Sequence, residues 1–216
     1  TDDDGDGTIS LGDTPDIVVV VFDSRDGLSG DSGGDVDGRL IALDGVTGAV
    51  HWELSNAYWK GGPAIGDLDG DGWPEVIAVD EERRPFAVSG ATGQPIWSCS
   101  TSIFNRYPHI SLADLDMDGS PEVIADNLVI NGQDGSVKFA LSVPADDFQG
   151  RMPTVADINL DGRQEIIIAS RVFDADGNQL WSTSRQGYFG HWTAVLNADS
   201  DPEAEVLMVS DFYMDI

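Results

Sequence analysis

Residues 67–75 read DLDGDGWPE and run straight into VIAV at residues 76–79. The nonapeptide carries carboxylates at positions 1, 3 and 5 (Asp67, Asp69, Asp71), glycine at 6 and a further carboxylate, Glu75, at 9. Alternate side chains converge on one point only where the backbone curls, and Gly72 permits the sharp turn. The carbonyl of Trp73, at position 7, then turns inward. Such a constellation suits Ca²⁺, a hard cation that takes six to eight oxygens at roughly 2.3–2.6 Å. Without a cation, three or four acids in so small a volume repel one another. The β-branched run behind the loop predicts a buried strand. The stretch therefore predicts a structural calcium site inside a strand–loop–strand unit.

The pattern returns along the chain. DLDMDGSPE at residues 114–122 supplies Asp114, Asp116, Asp118, the Ser120 carbonyl and Glu122. DINLDGRQE at residues 157–165 supplies Asp157, Asn159, Asp161, the Arg163 carbonyl and Glu165. NADSDPEAE at residues 197–205 supplies Asn197, Asp199, Asp201 and Glu205, with Pro202 in place of the glycine. DDDGDG at residues 2–7 supplies Asp2, Asp4 and Asp6, and an insertion delays its ninth-position acid to Asp16. Successive first positions lie 65, 47, 43 and 40 residues apart. A period of 40 to 47 residues fits a four-stranded propeller blade. The long first step absorbs insertions at residues 8–15 and 23–38.

A second repeat runs out of phase with the first: ALDGVTGAVHW (42–52), AVSGATGQPIW (87–97), VINGQDGSVKF (129–139) and VFDADGNQLW (172–181). Each is a short apolar run, a polar turn with glycine and a second run ending in an aromatic, which is a hairpin signature. Taken together the repeats predict an all-β chain, a β-propeller of four-stranded antiparallel blades. Strand A enters the acidic loop and strand B leaves it; strands C and D are the arms of the hairpin. Five blade positions result, at about 1–53, 63–99, 109–141, 153–182 and 191–216, in one domain. The first lacks strand A and the last stops after strand B. The edges of such a ring need managing, so the chain is expected to belong to a longer protein or to be completed by another chain.

Composition narrows the function classes. The formal net charge of −28 disfavours nucleic acid, which demands a basic surface. No apolar run approaches the ~20 residues of a membrane helix. The single cysteine, Cys99, allows no internal disulfide and is expected to be a small buried apolar residue. An EF-hand would need glutamate at position 12 and flanking helices. Position 12 holds Ala78, Ala125 and Ile168, and the flanks are strand-like.

These loops resemble the FG-GAP (VCBS-type) repeats of integrin α-subunits and many bacterial surface proteins. The resemblance implies a β-propeller with calcium in the A–B turn of several blades, here three to five structural ions. The hairpins are similar to the tryptophan-docking motif of quinoprotein propellers, and residues 42–52 match AxDxxTGxxxW throughout. That likeness implies that Trp52, Trp97, Phe139 and Trp181 pack between neighbouring blades.

The segments joining one blade to the next gather aromatic and basic residues: Tyr58, Trp59 and Lys60; Arg106, Tyr107 and His109; Arg151; and Tyr188, Phe189 and His191. In up-and-down blades these connections lie at the end opposite the acidic loops. Flat rings with polar neighbours suit sugars or a partner's side chains, and cations suit carboxylates. The expected function is a non-enzymatic, extracellular, calcium-stabilised binding or adhesion module for a glycan or protein surface, with no catalytic residues assigned. Two alternatives stand beside it. One is a polysaccharide lyase drawing on His109, His191, Arg106 and Arg151. The other is a structural subunit that self-assembles by strand pairing between chains. The 23–38 insertion is expected to be a linker or to hold another ion through Asp31, Asp35 and Asp37.

Overall fold

The computed structural model describes residues 14–23, 37–58, 60–105, 107–143, 152–168, 170–183, 191–199 and 201–210. Asp2, Asp4 and Asp6, and Asp31 and Asp35 of the insertion, lie outside the described residues. Every regular element among the described residues is a β-strand. The chain divides into two compact units, Thr1–Ser102 and Ile103–Ile216.

The first unit holds two antiparallel sheets. Sheet I is β1 (Ile17–Asp23), β2 (Asp37–Leu43) and β3 (Val50–Ser55). Pairing between β1 and β2 continues out to Asp23 and Asp37, so both ends of the predicted insertion belong to strands. Sheet II is β4 (Ala64–Gly66), β5 (Glu75–Val79), β6 (Pro85–Ser89) and β7 (Pro95–Ser98), in sequence order. The second unit holds three. Sheet III is β8 (Ile110–Ala113), β9 (Glu122–Ala125), β10 (Leu128–Ile130) and β11 (Val137–Ala140). Sheet IV is β12 (Thr154–Ala156), β13 (Glu165–Ile168), β14 (Arg171–Phe173) and β15 (Gln179–Ser182). Sheet V pairs β16 (His191–Leu196) with β17 (Glu205–Ser210). The expected four-stranded units are thus present as sheets II to IV. No closed ring of sheets is detected among the described residues.

Burial explains the alternation of strand types. The strands that follow an acidic loop, β5, β9 and β13, are buried at every position. Their Val/Ile content is what strands covered on both faces require. The fourth strands are the exposed ones, and β15 is exposed throughout. In the first unit, Leu40, Trp52, Val76 and Val88 share a core between sheets I and II. In the second, Ile124, Val129, Ile166 and Phe173 join sheets III and IV, while Ile158, Ile167 and Val172 meet Val195 and Val206 of sheet V. The first strands of sheets III and IV are linked by the Ser111 hydroxyl, which donates to the Pro153 carbonyl at 2.5 Å. Thr154 of β12 and Thr193 of β16 share a hydroxyl–hydroxyl hydrogen bond.

The hairpins have one construction. A register shift falls at the same place in the last two strands of each of sheets I to IV, between Ala42/Leu43, Ala87/Val88, Val129/Ile130 and Val172/Phe173. In sheet II the turn closes with Gly93 N–H donating to Ser89 at 2.8 Å, and Gly93 sits at φ +68°. A Cβ at Gly93 would stand 2.8 Å from the Trp52 ring of sheet I, so the ring lies on the bare glycine. Trp52 Nε1 also donates to the Gly90 carbonyl at 2.7 Å. Gly177 of sheet IV receives Phe139 of sheet III in the same way, at 2.7 Å. Trp97 is buried as well. Trp181 departs from the expected packing: it is 41% exposed. The described part of sheet V is two-stranded and offers no such turn for it to lie on. Cys99 is buried and free, as its sequence context implied.

Candidate metal sites

Each acidic loop is held between a fixed pair of residues at the end of its first hairpin. Glu75 pairs with Gly66, Glu122 with Ala113, Glu165 with Ala156 and Glu205 with Leu196. The ninth-position acid is therefore the first residue of the second strand, turned back under its own loop. Glu75, Glu122 and Glu165 are buried, at 5%, 3% and 1% exposure. Such residues are almost never fully buried without partners. Here one carboxylate oxygen accepts the N–H of the second loop residue: Leu68 to Glu75 at 2.8 Å, Leu115 to Glu122 at 2.9 Å and Ile158 to Glu165 at 2.9 Å. Ala198 donates to Glu205 in the same manner.

The first-position aspartate organises the curl. Both oxygens of Asp67 accept backbone N–H groups, from Gly70 at 2.7 Å and Gly72 at 3.0 Å. Asp114 accepts from Asp118 and Gly119, and Asp157 from Asp161 and Gly162. The fifth-position acid accepts from position 7: Trp73 to Asp71, Ser120 to Asp118 and Arg163 to Asp161, at 2.7, 2.8 and 2.8 Å. Backbone donors thus aim these oxygens before any ion arrives. Oxygens of Asp67, Asp69 and Asp71 lie within 4.8 Å of one another, as do those of Asp114, Asp116 and Glu122, and of Asp199, Asp201 and Glu205. All-oxygen, mostly anionic donor sets of this kind fit a hard divalent cation. Asn197 fits least well, because its amide nitrogen donates to the Asp201 carbonyl at 2.6 Å.

The electrostatic cost of the crowding falls on the ninth position. Burial, then repulsion from Asp69, Asp71 and Asp67, pushes the Glu75 carboxyl above its ordinary range, against the lowering effect of the Leu68 N–H. Burial and repulsion from Asp161 and Asp157 do the same to Glu165. In the third loop a lysine intervenes. Lys138 Nζ lies 2.5 Å from Asp116 and 2.8 Å from the second oxygen of Glu122, and these bonds raise its own proton affinity. Sequence reading missed Lys138; its place one residue before the hairpin's closing aromatic is the signal that marks it. A further cluster brings Asp16 together with Asp44 and His51, which sequence reading also missed, with His51 Nε2 3.2 Å from Asp16.

Among the described residues, Tyr58 marks the end of a sheet away from these loops. Tyr58 donates its N–H to the Val79 carbonyl, at the end of β5 remote from Glu75. The Arg83 guanidinium lies 5.6 Å from its ring centroid. Lys60 is half-buried, and Tyr107 is 40% exposed. His109 is half-buried just before β8, and burial lowers its proton affinity. Trp59, Arg106, Arg151, Tyr188 and Phe189, and the side chain of His191, lie outside the described residues. No described helix is long and apolar enough to cross a membrane.

No family model matches the chain, and no curated protein matches it. Solved structures do. The V. cholerae biofilm matrix protein Bap1 aligns with a TM-score of 0.77 at 26% identity, over 96% of this chain and 33% of Bap1. The exotype rhamnogalacturonan lyase YesX aligns with a TM-score of 0.63 at 19% identity, over 81% of this chain and 39% of the lyase. A Bacillus licheniformis rhamnogalacturonan lyase aligns with a TM-score of 0.64 at 20% identity, over 96% of this chain and 45% of the lyase. The chain spans about a third of the length of Bap1 and less than half that of either lyase. The likeness to the lyases is one of fold.

Proposed function

We propose that the chain is part of a calcium-braced β-propeller of the FG-GAP (VCBS) type, acting outside the cell as a non-enzymatic binding module for a glycan or a protein surface. The observation that carries this reading is the repeated buried glutamate beneath a curl of aspartates. Each glutamate sits in a dry setting against its own loop's acids or, at Glu122, a lysine, and a divalent cation at the loop would neutralise the acidic cluster. The donors proposed are Asp67, Asp69, Asp71 and Glu75, with their equivalents in the loops at residues 114–122 and 157–165. The loop at residues 197–205 and Asp16 are weaker members of the set. Millimolar extracellular calcium would fill such sites even at modest affinity. The side-by-side first strands of sheets III to V support a radial arrangement of blades within the second unit. The biofilm-matrix role stated for Bap1 supports an extracellular, carbohydrate-rich setting.

The binding surfaces proposed are the sheet ends remote from the metals, with Tyr58 and Lys60 in the first unit and Tyr107 and His109 in the second; Trp59, Arg106, Arg151, Tyr188, Phe189 and His191 are proposed from the sequence alone. The test is binding of the calcium-loaded chain to an array of neutral and acidic glycans. Tyr107→Ala is expected to weaken the best hit at least tenfold. The same glycans incubated with the chain should yield no unsaturated uronate absorbance, and its appearance would replace the adhesion reading with a lyase. Absence of any glycan signal together with light-scattering evidence of polymers would favour assembly by strand pairing.

A further inference from the structure

The loops share a ninth-position acid but differ in what faces its second oxygen. At Glu75 the neighbours are the loop's own acids, Asp67, Asp69 and Asp71. At Glu165 the Asn159 amide nitrogen stands 3.1 Å away and reaches Asp161 at the same distance. Presenting its oxygen to an ion instead requires the amide to flip and the Asp161 N–H to lose Asn159 Oδ1, to which it donates at 2.8 Å, so that loop rearranges too, but with no charge to displace. At Glu122 the neighbour is an ammonium group. Lys138 Nζ bridges position 3 and position 9 of the loop, Asp116 and Glu122. Those two oxygens are ones an ion at the loop's centre needs.

Lys138 is not carried by the loop. It stands on β11, one residue before Phe139, which pairs with Val129 across the hairpin bulge. The residue at the same place in sheet I is His51, before Trp52, and its ring contacts Asp16, the ninth-position acid of that sheet. In sheets II and IV the place is taken by Ile96 and Leu180, which carry no charge. The fourth strand therefore has one position from which a long side chain reaches the acid beneath the loop, and the sequence varies what is put there.

We infer that Lys138 is a tethered cation which makes the loop at residues 114–122 a weaker, adjustable calcium site than the loops at residues 67–75 and 157–165, which fill first. This rests on the reading of the loops as calcium sites. An ion entering the third loop must displace the ammonium from both carboxylates, whereas among the described residues no side-chain cation is paired with Glu75. At low calcium the lysine holds sheet III's loop closed by itself. At high calcium it is released to the surface as a free cation.

The test is calorimetric titration of the whole 216-residue chain with CaCl₂, wild type against Lys138→Met and Lys138→Arg, paired with thermal melts in chelator and in saturating calcium. The wild type is expected to show a weak class of sites that tightens about fivefold in Lys138→Met, the upper scale of an ion pair at a partly exposed side chain. Lys138→Arg, which keeps the charge, should stay near wild type. Lys138→Met should melt below wild type in chelator and level with it or above it in calcium, a crossing that simple misfolding would not give. Calcium binding with superimposable isotherms in all three chains would overturn the role of Lys138 and leave the calcium reading standing. A wild type that binds no calcium would overturn both.

Discussion

The fourth residue of the acidic loops shows how tightly the curl is specified. It is Gly70 in the second loop, at φ +79°, but Met117 at +59° in the third and Leu160 at +60° in the fourth. The left-handed region costs a residue with a Cβ roughly 1–2 kcal/mol. Neither side chain offsets this by burial, for Met117 is 63% and Leu160 58% exposed. The backbone donors that converge on the first aspartate hold the conformation in place. Replacing Leu160 with glycine should relieve the strain, less the entropy that glycine adds to the unfolded chain, for a net gain of about 1 kcal/mol. Leu160→Ala keeps the Cβ and should gain nothing. Urea denaturation in excess calcium distinguishes the two, and a destabilised Leu160→Gly would mean that the leucine makes contacts the exposed loop does not show.

At the scale of the element, the hairpin glycine joins one sheet to the next. Gly93 needs a left-handed backbone, and it needs an empty face because Trp52 lies on it. Gly48 shares the first requirement at φ +70° but has nothing within 4 Å of a would-be Cβ. Gly93→Ala should therefore cost about 3 kcal/mol, strain plus overpacking, and Gly48→Ala about 1 kcal/mol, strain alone. Equal losses in a denaturant series would show that Trp52 does not use the glycine as its seat. The out-of-phase repeats placed the strands of sheets II to IV because loop, hairpin and closing aromatic recur in register with the elements themselves. Trp181 misled because its seat belongs to another sheet: a docking aromatic is legible in its own hairpin, but its burial is decided by the next one. The candidate metal donors were legible for a similar reason, being local in sequence and spaced two apart. Lys138 lies 16 residues beyond Glu122, and Asp44 and His51 lie even further from Asp16. Only strand pairing brings them there: Lys138 and His51 hold the place before the hairpin's closing aromatic, but that motif does not record the acid they meet.

Across the whole molecule, the excess of negative charge makes stability a question of pH and of counter-ions. The chain carries a formal charge of −28, and self-repulsion of that size works against the folded state. Two buried carboxyls set the sign. Glu75 and Glu165 are raised above the ordinary value of 4.5 in the folded protein. A raised folded-state value means that the folded form binds protons more tightly than the unfolded chain. The stability this contributes is complete below pH 4.5 and is lost as the pH rises through the raised values. Asp176, Asp134, Asp116 and Asp44 are shifted the other way, but the first three are exposed and Asp44 partly so, and their hydrogen bonds are screened by water and add little. In chelator, then, the melting temperature should fall between pH 4.5 and neutrality. Calcium binds the ionised form, so in saturating calcium the curve should flatten or reverse, and the gap between the two curves should widen with pH. Glu75→Gln removes one of the two raised carboxyls, and in chelator it should make the fall shallower while lowering the calcium-dependent gain. Parallel curves with and without calcium would show that the ion does not sit against these glutamates, and the brace would have to be sought elsewhere in the chain.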